Sequence, residues 1–98
     1  MIRHMFMCPI KEGVTEEKVN ESINDLRLLQ EKVPEIIQLT VGKNLGWYDK
    51  KMTVAFVADF ENEDGWNSFM KNEEHLQIGA KVSEVLDFES IVSAQIEV

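Results

Sequence analysis

The stretch Met52-Thr-Val-Ala-Phe-Val-Ala-Asp-Phe60 reads as a β-strand, rich in Val, Thr and Phe with no Gly or Pro inside it. Side chains alternate faces along a strand. The even positions (Met52, Val54, Phe56, Ala58, Phe60) are all apolar, and the odd positions (Thr53, Ala55, Val57, Asp59) are half apolar. Both faces therefore need cover. Helices supply it on one side. In a chain of 98 residues the natural cover for the other is a second copy of the chain.

Upstream, Met1 to Cys8 reads as a first strand, which Pro9 ends because it cannot donate to a ladder. Lys11 to Val14 is a turn. Thr15 caps a helix with Glu16 and Glu17 at its positive end. Val19, Ile23, Leu26, Leu29 or Gln30, and Val33 give one apolar stripe, and Pro34 stops the helix shortly before it. Glu35 to Lys43 is a second strand, with Ile37, Leu39 and Val41 on the helix side and Ile36, Gln38 and Thr40 opposite. Asn44 to Lys50 is a loop.

Downstream of the central strand, Asn62 caps a short helix with Trp66, Phe69 and Met70 on its apolar side. Asn72 caps a second helix to about Leu86, with Leu76, Ile78 or Gly79, Val82 and Val85 or Leu86 inward. Phe88 to Val98 is a last strand. The order β-α-β-β-α-β is the ferredoxin-like, split-βαβ pattern of an α+β fold, a four-stranded antiparallel sheet with helices on one face. Right-handed crossovers put strands one and three in the centre. Residues 1–98 form one domain.

The sheet face turned away from the helices carries Met5, Met7, Ala55, Val57 and Ile91 among Gln38, Thr40, Ser93 and Gln95. An apolar centre with a polar border suits an oligomer interface, and a monomer would expose a patch that soluble proteins avoid. A chain this short also buries only roughly 60–70% of its unfolded surface, so association helps it. The expected partner is an identical subunit, two sheets stacked about a dyad as a barrel with helices outside.

The formal charge of −8, with ten scattered Lys and Arg, excludes a nucleic-acid face. No apolar run approaches the roughly 20 residues of a membrane-spanning helix. There is no signal-peptide pattern, and the lone Cys8 cannot form an internal disulfide. A cytoplasmic location is expected. No Gly-rich phosphate loop, nucleophile elbow, haem or flavin motif is present, and no cofactor is expected. Two histidines 71 positions apart make no zinc signature. Glu61, Glu63 and Asp64 are clustered carboxylates with two readings, a site for a hard cation such as Mg²⁺ or Ca²⁺ and, more simply, a solvated helix start; Cys8 is read as an unreactive thiol without a basic neighbour.

Taken in order, these residues resemble the stress-responsive A/B barrel domain (Dabb) family of the dimeric α+β barrel superfamily. The resemblance rests on Met1-Ile-Arg-His4, Gly13 to Glu16, Pro34 with Val41-Gly42-Lys-Asn-Leu45, Ala55 to Glu61, and His75 after Phe69. It implies a ferredoxin-like subunit, a homodimer, and a pocket between sheet and helices. The plant polyketide cyclases of the family, and aromatic monooxygenases of the superfamily that work without a cofactor, are its enzymes.

His4 and His75 match histidines of the cyclases. That similarity points to His75 as a general base, kept neutral by its helix N-terminus, and to His4 as a polarising group. The matching pocket is lined by Phe6, Ile23, Leu26, Phe56, Ala58, Trp66 and Phe69. The chain departs from the cyclases where they carry tyrosines, at Phe69 and Leu26, and where their His-Pro-x-His segment reads Asn72-Glu73-Glu74-His75. Three functions stay open: a binding module for a small hydrophobic or aromatic molecule, a cofactor-independent enzyme, and a structural dimer whose interior is filled by its own side chains. In the last, His4 is a core histidine holding one hydrogen bond.

Overall fold

The computed structural model describes all 98 residues. Along the chain it has β1 (Ile2–Pro9), α1 (Glu16–Arg27), α2 (Leu29–Lys32), β2 (Gln38–Lys43), β3 (Thr53–Phe60), α3 (Glu63–Lys71), α4 (Glu73–Val82), a 3-10 turn (Phe88–Ser90) and β4 (Val92–Glu97). The strands form one sheet in the order β2-β3-β1-β4. All neighbours are antiparallel. β1 and β3 lie in the centre, as the crossover rule requires.

Local chemistry sets most boundaries. Thr15, Asn62 and Asn72 each accept a hydrogen bond from the amide three residues on, from Lys18, Gly65 and His75 respectively. Gly13, at φ +79°, makes the turn before α1, where a side chain would be strained. Asn72 is at once the end of α3 and the cap of α4, so the two helices meet at a break. The core lies between the helices and one sheet face. Val54, Phe56, Ala58 and Phe60 of β3 meet Val19, Ile23, Leu26 and Leu29 there, with Phe69 and Val82.

Five expectations are corrected. β2 starts at Gln38, because Pro34 and its neighbours form a turn in which the Ile36 amide donates to Val33 O at 3.2 Å. Strand alternation does not reach back through that turn, and Ile36 is buried (5%) while Ile37 is exposed (54%). Met52 precedes the strand and stands 59% exposed, beyond the last β1 pair, Pro9 with Thr53. Leu76 is 56% exposed and Met70 40%; Ile78 and Val82 face inward as expected, and His75 takes the inward place given to Leu76. α4 ends at Val82, after which Val85 and Leu86 are buried from a turn.

The fifth correction concerns β4. It begins at Val92, after the 3-10 turn, so Ile91 lies outside it. Residues directly opposite in an antiparallel pair share a face. Met5 pairs with Ala94, Met7 with Val92 and Arg3 with Ile96, whereas His4 pairs with Gln95 and Phe6 with Ser93. Ser93 and Gln95 therefore belong to the helix side, and Val92, Ala94 and Ile96 to the other. The open face is more apolar than the sequence suggested. It carries Met5, Met7, Ala55, Val57, Val92 and Ala94 in one tract, and no element of the chain covers it.

The same face holds one buried charge. Asp59 accepts from Arg3 Nε at 2.8 Å and from Nη2 at 3.1 Å, a bidentate pair. The hydrogen bond from Arg3 holds the Asp59 carboxyl below the usual carboxylate range.

Candidate functional site

His4 enters the space between sheet and helices because its position on β1 has the inward parity, beside Phe6. β3 supplies Phe56 from the adjacent strand, and α3 supplies Trp66 and Phe69 at a three-residue spacing, one helical face. The four aromatic rings surround the imidazole. Their centroids lie 5.9 Å (Phe56), 6.0 Å (Phe69), 6.1 Å (Trp66) and 6.4 Å (Phe6) from it. Phe6 and Phe56 stack on each other at 4.7 Å.

His75 stands in the first turn of α4, where the Asn72 cap fixes its backbone. Its ring stacks on Phe69 with centroids 3.9 Å apart. Phe69 thus touches both histidines. Of the other residues expected at the site, Ile23 and Leu26 of α1 and Ala58 of β3 are fully part of the core.

Two ring nitrogens are buried here without a hydrogen-bond partner, Trp66 Nε1 and His75 Nδ1. Buried polar atoms are rarely left so, and each unpaired one is a candidate for a functional contact. A cavity of about 150 Å³ opens beside Trp66, lined by Ile2, Glu63, Trp66 and Gln95; His75 and His4 are not part of its lining. A second space, a groove of about 670 Å³, lies on the other side of the sheet. It runs between the 44–51 loop (Leu45, Trp47, Tyr48) and Met7, Ala55 and Val92 of the open face.

Electrostatics keep both imidazoles neutral. Burial, and secondarily the charge of His75, lower the His4 pKa to about 4. Burial also lowers that of His75, against the carbonyls of Phe69 and Met70, which pull it upward. The sequence had assigned this effect to the helix N-terminus, but the loss of water is the larger cause. Cys8 goes the other way: burial, and then Asp87, push its thiol up to about 11. Its Sγ donates to Asp87 O at 3.2 Å, so it is a packed thiol. No group of three His, Cys, Asp or Glu side chains comes together as a cation site, and Glu61, Glu63 and Asp64 are exposed.

The neutral His4 has a consequence for folding. In the unfolded chain it takes up a proton near pH 6.5; in the folded chain it waits until about 4. Between those values the unfolded state binds more protons, so stability is full above about pH 6.5 and drains as pH falls toward 4. The slope from this one group is at most about 1.4 kcal/mol per pH unit. His4→Phe is expected to flatten the decline measured by urea unfolding between those limits. Identical slopes in the two proteins would contradict a neutral buried His4.

Gln95 was missed by sequence reasoning. It reaches His4 from β4, its Nε2 2.9 Å from His4 Nδ1. Nothing in the residue pattern marks it, since the parity of β4 depends on the 3-10 turn before it.

The fold is shared with solved structures. A dimeric ferredoxin-like protein of unknown function from Thermobifida fusca is 27% identical, with a TM-score of 0.85 over 99% of this chain and 90% of that one. An Arabidopsis thaliana protein is 18% identical, with a TM-score of 0.87 over 100% and 95% of the two chains. The hydroxynitrile lyase of Passiflora edulis is 20% identical, with a TM-score of 0.85 over 99% and 92%. The last two, at such identities, show likeness of fold alone. A search of curated proteins finds no match. The family model described as Stress responsive A/B Barrel Domain matches residues 2–98, and the chain accordingly belongs to the Dabb family.

Proposed function

We propose that the protein is a homodimer, two sheets pressed together on their open faces, whose subunits each bind a small aromatic or apolar molecule between sheet and helices. The observation that carries the binding site is the pair of unpartnered buried nitrogens, Trp66 Nε1 and His75 Nδ1, in an aromatic enclosure with His4. A site of this composition, apolar walls with a few placed polar atoms, is what small ligands select. The space beside Trp66 suits a ligand of about one ring, since a cavity of about 150 Å³ accommodates benzene.

The dimer is supported by the uncovered tract from Met5 to Ala94 and by the dimeric relative from Thermobifida fusca. The 670 Å³ groove opens onto that same tract, so a partner subunit also closes the groove. The buried free thiol of Cys8 fits a reducing, cytoplasmic setting.

Titration with acetophenone, followed by the indole N–H resonance of Trp66 in a Trp47→Phe background, tests the site. Trp47 is almost fully exposed, so its replacement leaves the fold intact. The Trp66 signal is expected to move saturably, and His75→Ala to weaken the effect. An indole resonance indifferent to the ligand contradicts the site.

A second reading has one observation in its favour. His75 is neutral at pH 7 and its Nδ1 is unengaged, the state required of a base that removes a proton alpha to a carbonyl. For any carbonyl compound the protein turns over, His75→Ala should abolish the rate. An unchanged rate would leave binding as the activity.

A further inference from the structure

At the opposite end of β1 from His4, where Pro9 ends the strand, a recess of about 580 Å³ opens beside the start of α1. Its apolar wall is Ile10, Val14, Val19 and Met52, and it shares no residue with the cavity beside Trp66. The volume lies in the range of small-molecule sites. Backbone bonds hold the wall in place: Ile10 N donates to Met52 O at 3.0 Å, and Lys11 N to Val85 O at 2.9 Å. Met52, 59% exposed and without a role in the core, lies on this wall. Its flexible thioether chain can shape itself to an apolar guest.

The same recess carries three of the ten cationic side chains, Lys11, Lys43 and Lys51. Lys43 alone among them has an ion pair, 3.5 Å from Glu16, whose side chain is 80% exposed. So exposed a pair contributes little and yields to a competing anion. Glu12 and Glu16 are the acidic groups of the lining, so three positive charges face two negative ones, an excess of one. The other main recesses lack such an excess. Those on α1, at the start of α3 and beside Trp66 are acidic, and the groove on the open face balances Asp49 against Lys51. In a chain of net charge −8, this recess is where an anion meets a favourable local field.

We infer that the recess is a second binding site, and that it takes a small amphipathic monoanion, with one carboxylate among the three lysines and an apolar chain laid on Ile10, Val14 and Met52. One carboxylate balances the single excess charge. A dianion leaves a charge unmatched beside Glu12 and Glu16, and an alcohol makes no use of the lysines. The site is separate from the aromatic enclosure around His4 and stands or falls without it.

Octanoate, octanol and octyl phosphate test the site at about pH 8 and low ionic strength, where lysine is charged and the phosphate ester is largely a dianion. Methionine-methyl NMR spectra supply the readout. The Met52 methyl reports the recess, and that of Met70, on α3 and outside the lining, is the control. Octanoate is expected to move the Met52 signal saturably, to leave Met70 in place, and to bind more tightly than octanol or octyl phosphate. Lys11→Gln combined with Lys51→Gln, two exposed side chains, should weaken octanoate roughly tenfold and leave octanol unchanged.

A Met52 signal indifferent to octanoate overturns the inference. So does equal affinity for octanol, tighter binding of octyl phosphate, or a double variant that binds octanoate as the wild type does. If octanoate moves only the Trp66 indole, the ligand belongs to the other site and the recess is not one. A Met52 signal that moves on dilution and ignores octanoate assigns the recess to a second copy of the chain instead.

Discussion

Val57→Asp is expected to turn the dimer into a folded monomer. Val57 sits on β3 opposite Met5 of β1 and Thr40 of β2, in the middle of the uncovered tract. In the proposed dimer this tract meets its own copy, so the substitution places two carboxylates in a desolvated apolar centre. An unpaired buried charge costs several kcal/mol. A loss of about 4 kcal/mol in association is a thousandfold in the dissociation constant. Within the subunit Val57 points away from the helices, so the core behind it keeps its packing. Arg3, which shares this face, is already held by Asp59 and offers the new carboxylate little relief. Sedimentation velocity at low micromolar concentration is the measurement. A Val57→Asp protein that remains dimeric would place the interface elsewhere.

Phe69→Ala is expected to remove about 3–5 kcal/mol of stability, the range for truncating a buried aromatic. Phe69 is 1% exposed and packs on Phe60 (5.2 Å), Phe56 (6.3 Å), His4 (6.0 Å) and His75 (3.9 Å). A domain of this size has roughly 5–15 kcal/mol to lose, and each kcal/mol lowers Tm by about 4–8 °C. The melting temperature should therefore fall by roughly 12–40 °C. Met70→Ala, one residue on and 40% exposed, should change it little. The two variants separate loss of a packed ring from loss of helix propensity. In Phe69→Ala the His75 ring also gains water, so its pKa should rise back toward the ordinary histidine value, a shift visible in its NMR titration. A loss below about 1 kcal/mol would mean that the aromatic enclosure collapses readily and is not a pre-formed site.

Much of the enclosure was legible in the sequence because the rules that build it are local. Strand alternation alone placed His4 and Phe6, Phe56 and Ala58 on one side of the sheet. Helical spacing placed Trp66 and Phe69 together, and Asn72 announced the start of α4 through a hydrogen bond spanning only three residues. Where alternation was carried through a turn, it failed. The alternation that begins at Val92 was carried back through Phe88-Glu-Ser90, but the Asp87 side chain accepts from Glu89 N at 3.2 Å and from Ser90 Oγ at 2.9 Å and winds that segment into a 3-10 turn. That turn lets Phe88 face the core and reverses the parity of everything after it. Gln95 thereby passes from the open face to the side of His4, and Val92 and Ala94 pass the other way.

The same limit explains Ile36 and Ile37 beside Pro34. The unpartnered nitrogens of Trp66 and His75 were illegible for another reason. They follow from three-dimensional neighbours, which no spacing in the chain reports.

The sheet that organises the chain gives the most direct test of the whole account. Sedimentation equilibrium of the unmodified protein at low micromolar concentration should return twice the 11.3 kDa subunit mass, with the Met5 and Met7 methyl groups protected from a soluble paramagnetic probe in NMR spectra. A single species of 11.3 kDa whose Met5, Met7 and Val57 methyls are all bleached by the probe would contradict it.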